Sequence, residues 1–310
     1  MKIASFFAGV GGIEIGSGFE VVYANEIDKN AVATYESNFK LKVDCKDIKS
    51  VNENSLPNFD ILCAGFPCQA FSVAGYRKGF NDERGNLFFE LVRIAKAKKP
   101  KILLLENVKN LVGHDGGNTF EVILKELKNL GYFIKYKVLN ACEYGNTPQN
   151  RERIYIVAFL DENAFLRFHF PEPIRLSKSI GHIVDFNLKV DEKFYYKENF
   201  KQFDELKKGV IKKDTLYQWR RKYVRENKSN LCPTLTANMG TGGHNVPLVL
   251  TKHGIRKLTP KECFMFQGFS SDFKLPNIAN SHLYKQAGNS VCVGVLKRIW
   301  QEIEKAKNEL

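Results

Sequence analysis

Short, mainly apolar runs that alternate with helical patterns constrain this chain more than any other feature. Phe59–Ala64 is apolar but for Asp60, and Ile102–Leu105 is wholly apolar. Runs of this kind suit strands covered on both faces, where alternation with polar residues is lost. Ile3–Ala8, Val21–Asn25, Phe133–Leu139 and Ile154–Leu160 supply further strands. Between them Asp28 can cap a helix over Lys29–Phe39, and Leu87–Lys98 and Thr119–Leu130 have helical spacing, with Gly131 as a stop. Strand–helix alternation predicts an α/β fold: a doubly wound, Rossmann-like parallel sheet.

The pattern changes between about residues 165 and 255. From Lys193 to Lys228 there are twelve Lys/Arg and five Asp/Glu, a net of +7 out of +13 for all 310 residues. The same stretch carries eight aromatics: Phe194, Tyr195, Tyr196, Phe200, Phe203, Tyr217, Trp219 and Tyr223. Basic residues interleaved with aromatics suit a nucleic-acid surface, and the aromatics can equally form the core of a small domain beneath a solvated basic face. Met239-Gly240-Thr241-Gly242-Gly243 follows, either as a recognition loop or as a plain surface loop. A last helix is expected over Val291–Lys305.

The seven cysteines are odd in number and include no Cys-x-x-Cys pair, so neither a disulfide framework nor a zinc ribbon is supported, and no metal is expected. The start of the chain reads as a strand rather than a signal peptide, and no apolar stretch is long enough to span a bilayer. A soluble, reduced, cytoplasmic protein with no membrane partner is the expectation.

Gly9-Val10-Gly11-Gly12 follows the first strand, where doubly wound folds bind a nucleotide-bearing cofactor. The third glycine of the dinucleotide fingerprint is replaced by Glu14. Glu26, after the second strand, can accept from two ribose hydroxyls, and Asp47 can accept from a purine amine. An adenosine-bearing cofactor fits these residues, which leave open a nicotinamide dinucleotide or S-adenosylmethionine.

Gly65-Phe66-Pro67-Cys68-Gln69 decides between them. Cys68 falls just beyond what reads as the fourth strand, on the ligand side of the sheet, whereas Cys63 lies within the run and reads as inert packing. A long loop to Asn86, with Ser72, Arg77, Lys78 and Arg84, could close over a polyanionic substrate. Glu106 comes directly after the strand Leu103–Leu105, where desolvation would keep its carboxyl protonated. Arg151 and Arg153 precede the last strand; taken alone they read as a surface salt-bridge cluster. Methyl transfer to carbon 5 of cytosine needs such a set. A thiolate at carbon 6 of cytosine makes carbon 5 enamine-like, a protonated carboxyl stabilises ring nitrogen 3, and an arginine holds the carbonyl at position 2. The base must leave the helical stack to be reached.

These motifs together resemble the DNA (cytosine-5) methyltransferase family in its compact bacterial restriction–modification form. They are Phe7–Gly12, Glu26, Asp47-Ile48, Gly65–Gln69, Arg84–Phe88, Glu106-Asn107-Val108, Gln149-x-Arg151-x-Arg153, Arg256–Glu262 and Gly288–Val291, nine in the family order. The resemblance implies Cys68 as nucleophile, Glu106 as the acid, and Arg153 with Arg151 as the residues orienting the base. It implies a pocket for S-adenosyl-L-methionine formed by Phe7, Gly9, Gly11, Gly12, Glu26, Ile27, Asp47, Ile48, Pro67, Leu87 and Asn289. Residues 1–165 would be the catalytic and cofactor domain, 166–255 the target-recognition domain, and 256–310 a segment returning to the first. Gln69, Ser72, Arg84, Gln218, Arg220, Arg221, Thr234, Leu235, Gly242 and Gly243 become the candidate contacts to duplex DNA. The expected assembly is a monomer on DNA, associated with the bacterial nucleoid and paired functionally with a cognate restriction endonuclease.

The chain departs from the family pattern at three places. Lys46 stands before Asp47 where a glycine is frequent, Phe66 replaces a second proline, and Ala74 replaces a serine that helps fill the gap left by a flipped base. Gln218 is the alternative gap-filling candidate. The competing functions are an RNA cytosine-5 methyltransferase, a non-catalytic DNA-binding regulator, disfavoured by intact Cys68 and Glu106, and a nicotinamide dehydrogenase, disfavoured by Glu14 and the Pro67-Cys68-Gln69 loop.

Overall fold

A computed structural model describes residues 1–67, 87–220, 223–241 and 245–307. They form two compact units, one from Met1–Leu139, Glu152–Glu172 and Leu296–Leu310, the other from Asn140–Arg151 and Pro173–Val295. By packing, residues 140–151 and 256–295 thus fall in the second unit, while the role-based division by sequence assigns them to the catalytic domain and the returning segment.

The first unit is built on six strands: β1 (Lys2–Phe6), β2 (Glu20–Asn25), β3 (Ile61–Gly65), β4 (Ile102–Val108), β5 (Phe133–Asn140, which ends at the unit boundary) and β6 (Glu152–Phe159). Their order is β2-β1-β3-β4-β6-β5. The first four are parallel, and β6 runs antiparallel to β4. The sheet is therefore parallel-rich and α/β as expected, with one reversal that the apolar pattern does not reveal. The strand of Cys63 is the third rather than the fourth, because the segment before Asp47 contributes only a single bridge, Asn25 with Asp44.

Local chemistry explains the helices. α1 (Lys29–Asn38) starts where Asp28 accepts from the Asn30 amide at 3.0 Å. α2 (Leu87–Lys98) and α3 (Asn118–Asn129) present Phe88, Leu91, Ile94, Ile123 and Leu127 to the sheet residues Leu62, Ala64, Leu103, Leu105 and Ile156. Each such side chain, fully buried, stabilises the fold by about 1.5–3 kcal/mol. Gly131 stops α3 with a φ of +91°. The chain crosses from β1 out to β2 and then back to β3 on the other side of β1, and such a reversal opens a crevice at the carboxyl ends of the strands.

The second unit holds a small antiparallel sheet of β7 (Tyr217–Trp219), β8 (Val224–Glu226), β9 (Leu248–Thr251) and β10 (Gly254–Lys257), in the order β10-β9-β7-β8. Its core gathers Leu206, Val210, Tyr217, Leu248 and Ile255, so aromatics of the basic segment do build a core. α4 (Pro260–Phe266) opens with a Thr259–Glu262 capping box, and Glu262 also receives the buried Arg256 fork at 2.7 and 2.8 Å. α5 (Asn280–Asn289) lies so close to the chain at Thr236 that a Cβ on Gly288 would stand 2.1 Å from the Thr236 carbonyl carbon. α6 (Val293–Lys307) runs through the unit boundary, and from Leu296 it belongs to the first unit, where Trp300 donates to the Ile13 carbonyl at 2.7 Å. Among the described residues no helix is long and apolar enough to cross a membrane.

Candidate active site

The loop after β1 is held in an unusual backbone form. Phe7 has a φ of +51°, and Gly9 and Gly11 have +56° and +84°. A non-glycine residue in that region costs about 1–3 kcal/mol and tends to occur where a ligand is gripped. Gly11 cannot be replaced cheaply either, since a Cβ there would lie 2.3 Å from the Phe39 ring. The turn closes through the Gly11 amide on the Ala8 carbonyl at 2.9 Å.

Glu26 is locked beside this loop. One carboxylate oxygen accepts from the Gly9 amide at 2.9 Å, and the other accepts from the Ile27 and Asp28 amides, both at 2.8 Å. Next to it Ile27 is 62% exposed, an apolar side chain left in the open. Asn25 ties in the next segment by donating to the Asp44 and Lys46 carbonyls, both at 2.9 Å. Asp47 follows, capping the short turn Ile48–Ser50 through the Lys49 amide, with Ile48 buried. Pro67 is exposed just beyond β3, and Leu87 opens α2 half-buried. Beneath the loop Glu14 is buried, and burial pushes its carboxyl up to about 7, with the Ser5 hydroxyl pulling the other way. Burial, together with Glu14, likewise raises the Cys63 thiol well above its ordinary range, which fits the inert packing role expected for it.

Glu106 and Arg153 meet on the neighbouring strands. Glu106 lies within β4 rather than after it, because β6 pairs with β4 as far as Val108 with Arg153. The Arg153 Nε and a Glu106 carboxylate oxygen are 3.2 Å apart, with both side chains about one-tenth exposed. Glu106 also stands opposite Gly65 in the parallel pairing of β3 and β4, and Gly65 opens the segment that leads to Cys68. Asn107 secures that segment: its side-chain nitrogen donates to the Phe66 carbonyl at 2.9 Å. Sequence reasoning gave Asn107 no role, although its place in the Glu106-Asn107-Val108 motif was the available signal.

Arg151 stands just before β6. It belongs to the second unit, 2% exposed, and its guanidinium donates to the carbonyls of Leu235, Gly288 and Ser290 at 2.8, 3.2 and 2.5 Å. Leu235 is buried, and its amide donates to the Gln149 side chain at 3.1 Å. Thr234 is exposed, with its hydroxyl on the Asn150 carbonyl at 2.6 Å. The Thr234-Leu235 pair is thus stitched to residues 149–151. Asn289 ends α5 with its side chain exposed. Gln218 lies in β7, and Arg220 follows it, exposed. Cys68, Gln69, Ser72, Ala74, Arg84, Arg221, Gly242 and Gly243 lie outside the described residues. Among the described residues no group of three or more His, Cys, Asp or Glu side chains is placed to hold a metal.

Comparisons with known proteins identify the family. The chain is 59% identical to the Type II methyltransferase M.Bsp6I of Bacillus sp. (strain RFL6), with 99% of each chain covered. It is 38% identical to the Type II methyltransferase M.HhaI of Haemophilus parahaemolyticus, over 99% of this chain and 95% of the other. Among solved structures, a Spodoptera frugiperda DNMT2 mutant shares the fold with a TM-score of 0.75 at 22% identity, over 98% of this chain and 99% of that one. The family model described as C-5 cytosine-specific DNA methylase matches residues 1–305. With that match across nearly all of its length, the chain belongs to the C-5 cytosine-specific DNA methylases and is an enzyme of the Type II DNA methyltransferase kind.

Proposed function

We propose that this enzyme methylates carbon 5 of one cytosine in a short duplex DNA site through a covalent adduct with Cys68, and that it protects host DNA as the methylating half of a restriction–modification system. The observation that carries the mechanism is the Glu106–Arg153 pair at 3.2 Å, set beside Gly65 at the head of the Cys68 segment. The Type II names of the relatives support the biological role.

The residues of the first unit fit S-adenosylmethionine as the methyl donor. Glu26, fixed by three backbone amides, presents its carboxylate for ribose hydroxyls, the open face of Ile27 suits a purine ring, and the left-handed turn at Phe7–Gly11 lets a ligand approach the backbone closely. Asp47, Ile48, Pro67 and Leu87 complete this reading of the pocket. When bound, the cofactor supplies an electrophilic sulfonium methyl.

The protein's own work is on the base. The Cys68 thiolate adds to carbon 6, and Glu106 holds a proton at ring nitrogen 3 as charge develops there. Arg153 orients Glu106 and offers donors to the carbonyl at position 2. The target base is swung out of the duplex for this chemistry, and loss of the carbon 5 proton releases the cysteine. Arg151 fixes the Thr234-Leu235 segment to Gly288–Ser290 in this reading.

Methyl incorporation from labelled S-adenosylmethionine into unmethylated duplex DNA and into transfer RNA tests the reading. DNA labelled at carbon 5 of cytosine is expected; label confined to transfer RNA would overturn it.

A further inference from the structure

β7 and β8 pair in the register Tyr217 with Glu226, Gln218 with Arg225 and Trp219 with Val224. Side chains alternate along a strand. Tyr217 is buried in the core of the small sheet, and Trp219 and Val224 pack against that core. Gln218 and Arg225 therefore share the opposite face, where the Arg225 guanidinium donates to the Gln218 side-chain oxygen.

That pair lines an open cleft of about 290 Å³ together with Asn150, Arg220, Asn227, Ser229, Pro233 and Thr234. The lining carries two guanidiniums, three carboxamides and two hydroxyls, and no carboxylate. The nearest acid along the strand, Glu226, sits on the core side and is taken up by Lys212 at 2.9 Å. The walls are braced from within: Ser229 donates to the Asn227 side chain at 2.9 Å, and the Asn150 side-chain oxygen accepts from Asn140 at 2.8 Å. Arg225 is different. Among the described residues its only acceptor is Gln218, bonded through one terminal nitrogen, which leaves Nε and the other terminal nitrogen for a ligand.

Cationic and amide-rich, with no acid, such a cleft suits nucleic acid over a cationic or apolar ligand. A loose surface arginine would suffice for a phosphate. A guanidinium whose plane is held by a carboxamide on a paired strand is instead suited to a bidentate contact with the O6 and N7 edge of guanine in the major groove. We propose that Arg225 reads a guanine of the recognition site and that Gln218 is its positioning residue. The proposal rests on the enzyme acting on duplex DNA.

The test uses the full-length enzyme, a library of duplex DNA with randomised sequence, and sequencing that detects 5-methylcytosine. The wild-type protein is expected to give one consensus containing a guanine besides the one paired with the target cytosine. Arg225→Ala and Arg225→Lys should lose preference for guanine at one position, and at its mate if the site is palindromic, by roughly 10- to 100-fold. Arg225→Lys keeps the charge and the stem, so it guards against a variant that merely fails to fold. Gln218→Ala should lose several-fold at the same position. An unchanged consensus with uniformly weaker methylation in all three variants would reduce Arg225 to a phosphate contact and overturn the proposal, as would a wild-type consensus with no guanine beyond the one paired with the target cytosine. A wild-type protein that methylates no duplex sequence would instead sink the functional reading on which the proposal rests.

Discussion

Glu106 and Arg153 meet diagonally across antiparallel β4 and β6, 3.2 Å apart and almost wholly shielded from water. In the proposed mechanism this carboxyl addresses the base, with the guanidinium beside it. Replacing Glu106 with Gln keeps shape and polarity but removes the exchangeable acidic proton. Turnover should fall roughly 10²- to 10⁴-fold, with DNA affinity little changed. Single-turnover methyl transfer alongside gel-shift binding checks this, and a parallel loss of both would contradict it.

Arg151 is predicted to matter through the fold. Its buried guanidinium serves three carbonyls, and removing it leaves all three without that partner. Arg151→Ala should cost on the order of 3 kcal/mol or more in unfolding free energy. Arg151→Lys should recover little, because a single ammonium cannot reproduce the fork. Urea unfolding measures both, and a variant as stable as wild type would refute the role.

Much of this arrangement is legible in the sequence where causes are local. Asp28 caps α1 as its position suggests, Gly131 ends α3, and the apolar runs become the central strands. The antiparallel turn of β6 is not legible, because the direction of a buried strand leaves no mark on its composition. Glu106 reads as lying after its strand, because a charged residue ends the apolar run although the pairing with β6 continues past it. The carbonyl partners of Arg151 lie 84, 137 and 139 residues away in sequence, beyond the reach of any spacing rule. In the glycine loop the motif marks the turn, while the left-handed backbone of Phe7 emerges only from the fold.

Gly288 carries a second structural prediction. With the Thr236 backbone filling the place of a Cβ, Gly288→Ala must push α5 away from the Thr236 segment. A loss of about 1–3 kcal/mol is expected, read as a lower Tm. An unaltered Tm would mean that the close approach is dispensable.

Glu14 gives the stability a pH dependence. Its carboxyl ionises near 7 in the folded protein, against an ordinary value of 4.5. The folded state therefore favours the protonated form, which is fully stabilising below about 4.5 and is lost as pH rises towards 7. Relative to Glu14→Gln, the wild-type protein should lose about 3 kcal/mol of stability across that window, the value of the shift at 1.36 kcal/mol per unit. Urea unfolding of both proteins at pH 5, 6 and 7 (roughly the span of the titration) measures it, and a constant difference would contradict the burial of an ionisable Glu14.

In the proposed mechanism Cys68 carries the chemistry at carbon 5 of cytosine. The most direct measurement is mass spectrometry of nucleosides from duplex DNA treated with wild-type enzyme or with Cys68→Ser, with DNA binding followed in parallel. The wild-type protein should yield 5-methylcytosine and Cys68→Ser none, while that variant still binds DNA. Near-normal 5-methylcytosine from Cys68→Ser, or methyl found on the exocyclic nitrogen of cytosine, would contradict it.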